Sequence, residues 1–128
     1  MAYIQRNINP CLRSVGDCAV RALAVATNKS WEETYAELCM LGFQMCDMPN
    51  SNEVISAFMR KNGFQKRLIP NYLPDRYSIQ DFTNDNPYGV YVLGTGSHVV
   101  AVVDGDYIDI WDSGDEIPIY FFTKGEFQ

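Results

Sequence analysis

Between residues 18 and 27 the chain is apolar apart from Arg21, reading Cys18-Ala19-Val20-Arg21-Ala22-Leu23-Ala24-Val25-Ala26. A helix with no polar face is buried on all sides, so this segment predicts a central helix rather than a surface one. Asn28-Lys29 forms a turn, and Ser30-Trp31-Glu32-Glu33 fits a capping box in which Ser30 and Glu33 satisfy each other's backbone donors. Trp31, Tyr35 and Leu38 then recur at helical spacing, and Gly42 is expected to end this second helix. The irregular apolar stretch from Gly42 to Pro49 reads as a loop over the core. Asn50 or Ser51 can cap a third helix, in which Val54, Ile55, Phe58 and Met59 make one stripe before Gly63. Phe64 to Ile69 reads as a short strand, Pro70 and Pro74 as a turn region, and Ser78 to Asp85 as one short helix.

From Tyr88 onward the pattern changes to strands: Tyr88 to Leu93, Ser97 to Val103, Tyr107 to Trp111 and Ile117 to Thr123. Gly94-Thr95-Gly96, Asp104-Gly105-Asp106 and Ser113-Gly114-Asp115 separate them as hairpin connections do. Helices first and an antiparallel meander second predict an α+β fold, with a buried central helix packed on a C-terminal antiparallel sheet of four to five strands. No repeat, low-complexity tract or linker divides the chain, so residues 1–128 are expected to form a single domain.

Composition narrows the function. The 47% hydrophobic content is that of a packed protein. The longest apolar runs are five residues, far below the roughly 18 that a membrane span needs. The opening Met1-Ala2-Tyr3-Ile4-Gln5-Arg6-Asn7 lacks the apolar core of a secretory signal, so a cytoplasmic location is expected, without a membrane partner. A net charge of −6 and no basic cluster longer than Arg60-Lys61 argue against nucleic acid, whose binders concentrate Lys and Arg. The cysteines Cys11, Cys18, Cys39 and Cys46 include no Cys-x-x-Cys pair, and one histidine leaves no zinc-ligand pattern; no metal or cofactor is expected.

The candidate chemistry lies in three residues far apart in the chain. Cys18 stands at the start of the central helix, where unpaired amides and the positive end of the dipole favour a thiolate, and its own backbone amide can contribute to an oxyanion hole. Asp17, a candidate N-cap, sets a carboxylate beside it and offsets part of that effect. His98, the single histidine, opens the apolar run Val99 to Val103 and is the side chain able to exchange a proton with the thiol near neutral pH. Asp112 closes the next run and would orient the imidazole.

The geometry is conditional on the hairpin. Pairing Val103 with Tyr107 across a three-residue Asp104-Gly105-Asp106 connection places His98 directly opposite Asp112. A two-residue Asp104-Gly105 turn would oppose His98 to Trp111 and send Asp112 to the other face.

Taken together, Gly16-Asp17-Cys18-Ala19-Val20-Arg21-Ala22-Leu23-Ala24, Ser30-Trp31-Glu32-Glu33-Thr34-Tyr35, Gly96-Ser97-His98-Val99-Val100-Ala101-Val102-Val103-Asp104-Gly105 and Trp111-Asp112-Ser113 resemble small papain-like cysteine peptidases encoded by phages and prophages of gut bacteria. The resemblance spans roughly residues 5 to 122. It implies a papain-like fold with Cys18 as nucleophile, His98 as general base and acid, Asp112 as the orienting residue, and a peptide or protein substrate. Papain-type enzymes usually place a glutamine shortly before the nucleophile for the oxyanion hole. Leu12 occupies that position here, so Gln5 and Asn7 are the nearby upstream amides that could serve. Gly96 and Ser97, before His98, would let a substrate backbone approach, and Trp111 would shield the imidazole or simply pack. Arg21 is expected to form an ion pair that holds the central helix, in preference to meeting a substrate carboxylate.

Three other readings compete with a peptidase. A cell-wall amidase or endopeptidase of the CHAP type has a similar His-Val-Ala-Val-Val strand. A transglutaminase or deamidase would use the same triad. A catalytically silent papain-like module would keep the fold and bind a partner.

Overall fold

The computed structural model describes residues 2–70 and 72–124. It is an α+β structure with a six-stranded mixed sheet. Along the chain the elements are β1 (Tyr3–Gln5), α1 (Cys18–Thr27), α2 (Trp31–Met45), α3 (Asn52–Lys61), β2 (Phe64–Leu68), α4 (Ile79–Asp85), β3 (Val90–Gly94), β4 (Val99–Val103), β5 (Asp106–Asp109) and β6 (Tyr120–Lys124).

Local chemistry sets the helix ends. Ser30 accepts from the Glu33 amide while the Glu33 side chain accepts from the Ser30 amide, and Ser78 with Asp81 repeats the device on α4. Ser51, rather than Asn50, caps α3. Helix α2 runs past Gly42 to Met45 and ends on Cys46 in the left-handed conformation. Gly42 serves packing instead: a Cβ there would lie 2.7 Å from the Asp47 carbonyl oxygen, which folds back over the helix end.

The sheet order is β1-β5-β4-β3-β6-β2. It has more strands than expected, and it is not a simple meander. After β5 the chain crosses to the far side of β3, where β6 pairs antiparallel with both β3 and β2. The three-residue β1 adds to β5 in parallel. Helices cover both faces. Ala19, Ala22 and Leu23 of α1, Leu38 of α2 and Phe58 of α3 pack with Val92, Ala101 and Phe122 on one face. Ile79 and Phe82 of α4 pack with Leu93, Val100, Val102 and Phe121 on the other. Burial on both sides accounts for the uninterrupted apolar run of β4. The alanines of α1 let that helix lie close against β4, which brings its N-terminus beside the start of the strand.

Among the described residues no helix is long and apolar enough to cross a membrane. Among those residues, too, no group of three or more His, Cys, Asp or Glu side chains could hold a metal ion.

Candidate active site

Cys18 is the first residue of α1, so its backbone N–H has no acceptor within the helix. The turn before it presents Asp17, but that carboxylate does not cap the helix. It accepts instead from Arg21 Nε at 2.9 Å, Trp31 Nε1 at 3.0 Å and Asn9 Nδ2 at 3.2 Å. The charge that would oppose a thiolate is thereby drawn away from the helix amides and neutralised by Arg21.

His98 precedes β4 in a tight connection from β3. Its amide donates to Thr95 Oγ1 at 3.1 Å, and its carbonyl accepts from the Thr95 amide at 2.9 Å. That loop presents the ring to the Cys18 thiol, close enough that each group shifts the other's pKa. The other side of the ring meets Asp109: Nε2 lies 2.6 Å from Oδ2. A carboxylate can only accept, so Nε2 carries a proton and Nδ1 is the nitrogen left for Cys18.

The acid partner is therefore Asp109, and Asp112 is not brought to His98. The hairpin shows why. Val103 pairs with Asp106, leaving a two-residue turn at Asp104 (φ 48°) and Gly105 (φ 83°). Both turn residues are left-handed, which is the twist that matches a two-residue hairpin. This register directs His98 toward Trp111, and their ring centroids are 5.0 Å apart. Asp109, the last residue of β5, lies within reach of the imidazole, whereas Asp112 falls in the following turn. There it accepts from the Tyr107 hydroxyl at 2.6 Å and from the Gly114 amide at 3.0 Å. The Asp-Gly pair, among the strongest short hairpin signals, was the clue to this register.

Asp109 is 1% exposed, and every lone pair has work. Oδ1 accepts from Arg21 Nη1 at 3.0 Å and the Ile110 amide at 2.8 Å, and Oδ2 accepts from Ser113 Oγ at 2.8 Å as well as from His98. Arg21 thus bridges two buried carboxylates, as its expected ion-pairing role requires. A line of alternating charge runs through the site: Cys18, His98, Asp109, Arg21, Asp17. No buried side-chain nitrogen or oxygen among the described residues is left without a partner.

This arrangement moves the pKa values together. Burial pushes the Cys18 thiol up, but its hydrogen bond to His98, the Val99 amide and the nearby positive charges outweigh burial and leave it lowered. Burial likewise opposes the charged imidazole, yet the bonds to Asp109 and Cys18 raise His98 to about 9. Asp109 is held below the ordinary carboxylate value because His98, Ser113 and Arg21 together overcome its desolvation. All three directions favour a thiolate beside an imidazolium.

A small cavity of about 90 Å³ opens at the sulfur, lined by Gly16, Cys18, Gly96, Ser97, His98, Asn52 and Tyr120 among others. Gly96 and Ser97 lie at this mouth beside Cys18 and His98. Trp111, 45% exposed, covers the imidazole from outside. Gln5 and Asn7 are not at the mouth. Gln5 pairs with Asp109 along the backbone at the end of β1, and the Asn7 side chain is committed to the Arg13 carbonyl and the Asn9 amide. A larger groove of about 620 Å³ adjoins the mouth through Gly16 and Asn50, and its apolar walls include Val15, Val20, Trp31, Tyr35 and Leu38. Compared with protein-family models, with curated proteins and with solved structures, the chain has no match.

Proposed function

We propose that the protein is a papain-like cysteine hydrolase, a peptidase by preference, acting through Cys18, His98 and Asp109. The observation that carries this reading is the convergence at one small cavity of a half-buried thiol at a helix N-terminus and an imidazole whose Nε2 lies 2.6 Å from a buried carboxylate. A structural cysteine in a core needs no such partner.

In the proposed reaction the Cys18 thiolate attacks the carbonyl carbon of an amide. The carbon–sulfur bond forms as the carbonyl π pair moves onto oxygen. The oxyanion then collapses, the carbon–nitrogen bond breaks, and His98 Nδ1 gives its proton to the departing amine. Water, deprotonated by the same nitrogen, next attacks the thioester, releasing the acid and restoring the thiolate. Asp109 holds the ring in the productive tautomer and stabilises its charged form throughout. The apolar groove beside the mouth suits a bulky side chain of a peptide better than a glycan, whose hydroxyls call for polar walls.

Iodoacetamide labelling with peptide mapping tests the reading, because Cys11 and Cys46 are exposed free thiols and serve as internal standards. Cys18 is expected to alkylate at pH 6 far faster than either, and His98→Ala to abolish the advantage. Equal reactivity at the three positions would leave a catalytically silent module. Release of soluble fragments from purified peptidoglycan would move the substrate from protein to cell wall.

A further inference from the structure

We propose that the side-chain amide of Asn52 is the second hydrogen-bond donor to the carbonyl oxygen that Cys18 attacks, and that Tyr120 holds it in place; this rests on the acyl-transfer reading above. A tetrahedral intermediate needs donors fixed where its negative charge develops, and the Cys18 backbone amide is one. The upstream amides that sequence offered for the second, Gln5 and Asn7, lie away from the thiol. Asn52, the first residue of α3, lines the same small mouth as Cys18 and His98.

A device built from three elements sets its orientation. On β3, Gly94 has no side chain, and a Cβ there would fall 2.0 Å from Tyr120 Cζ. The ring of Tyr120, on the neighbouring strand β6, therefore lies directly over the glycine backbone. It is 5% exposed, and its hydroxyl reaches Asn52 Oδ1 at 3.4 Å. With the phenol donating to Oδ1, the amide's Nδ2 is the end left to donate, and no described residue accepts from it. Burial and the adjoining Cys18 charge both keep the Tyr120 hydroxyl protonated, so it remains a donor while the thiolate is present. Asn52 would touch the reacting oxygen, whereas Tyr120 acts through Asn52 as a positioning residue.

The test uses two reactions of the same sulfur. Alkylation by iodoacetamide displaces iodide at a saturated carbon and creates no oxyanion, whereas acylation by a p-nitrophenyl ester does. Asn52→Ala is expected to lower the acylation rate about 100-fold or more while leaving alkylation of Cys18 within about twofold. Asn52→Asp should be at least as slow in acylation. Tyr120→Phe should give a smaller loss confined to acylation, and circular dichroism melts would establish that each variant is folded. Acylation unchanged in folded Asn52→Ala would overturn the assignment, as would equal losses in both reactions. Wild-type protein that alkylates rapidly at pH 6 but is never acylated would instead refute the acyl-transfer reading itself.

Discussion

Replacing Asp109 by asparagine changes one buried oxygen to an NH₂ group and separates the roles of the two candidate acids. The new side-chain amide could still accept from Arg21 and the Ile110 amide through its one oxygen, but the atom facing His98 Nε2 would be a second donor. The imidazole must then give up its Nε2 proton or lose the contact, and either breaks the line to Cys18. The size of the effect follows from His98, raised to about 9 against 6.5 for a free ring. That gap corresponds to about 3 kcal/mol, shared between Asp109 and Cys18. Asp109 is the first of the two partners that raise the ring, and a hydrogen bond to a charged group of this kind contributes about 1.5–3 kcal/mol. The expected result is at least a roughly tenfold fall in Cys18 alkylation at pH 6, with the basic limb of its pH profile moving from about 9 toward 6.5. Turnover, which also needs the correct tautomer, should fall by about 10³–10⁴. Asp112→Asn is the control: its partners are Tyr107 and Gly114, so Cys18 reactivity should hold at the wild-type level. The measurement is iodoacetamide labelling between pH 5 and pH 10 with peptide mapping. A wild-type profile in Asp109→Asn together with a displaced one in Asp112→Asn would refute the assignment.

Other consequences can be checked separately. Because Cys18 is lowered and His98 raised to about 9, acylation by an ester should rise through a pKa below that of a free thiol and decline again near 9; one ascending limb with a free-thiol midpoint would contradict the ion pair. The same group links stability to pH. A folded-state value of about 9 above an unfolded 6.5 means that the His98 contribution is complete below 6.5 and disappears as pH rises through about 9. Urea midpoints of wild type and His98→Ala should accordingly converge across that interval, and a constant difference would count against it. Arg21→Met strands Asp17 and Asp109, 6% and 1% exposed, and is expected to cost about 3–5 kcal/mol in urea unfolding; a loss under about 1 kcal/mol would mean that the bridge is not a stability element. Gly94→Ala drives a methyl into the Tyr120 ring and should destabilise by about 1–3 kcal/mol, read from the thermal midpoint, which an undisturbed ring would leave unchanged.

Much of the candidate site's framework is legible in the sequence. Cys18 opens α1 because the apolar run and the turn before it are local features, and capping chemistry at Ser30 and Ser78 likewise acts within a few residues. Gly42 misled because a glycine at a helix end and a glycine at a close contact look alike until Asp47 is seen folding back. Strand β1 left no signal in three residues, since its pairing with β5 joins opposite ends of the chain.

Composition and periodicity by themselves determined the α+β class and the buried central helix, both consequences of short-range geometry and of apolar surface seeking burial, and they put the candidates Cys18 and His98 at the starts of a helix and a strand. Only the tertiary structure decided the strand order, the crossing of β6 to β3, and the choice of Asp109 over Asp112. The physical reason is that side chains alternate along a strand, so one residue more or less in the turn at Asp104-Gly105 changes which carboxylate faces the imidazole. The charge line from Asp17 through Arg21 to Asp109 belongs to the same class, because it exists only once α1 has docked on the sheet and brought residues 88 positions apart into contact.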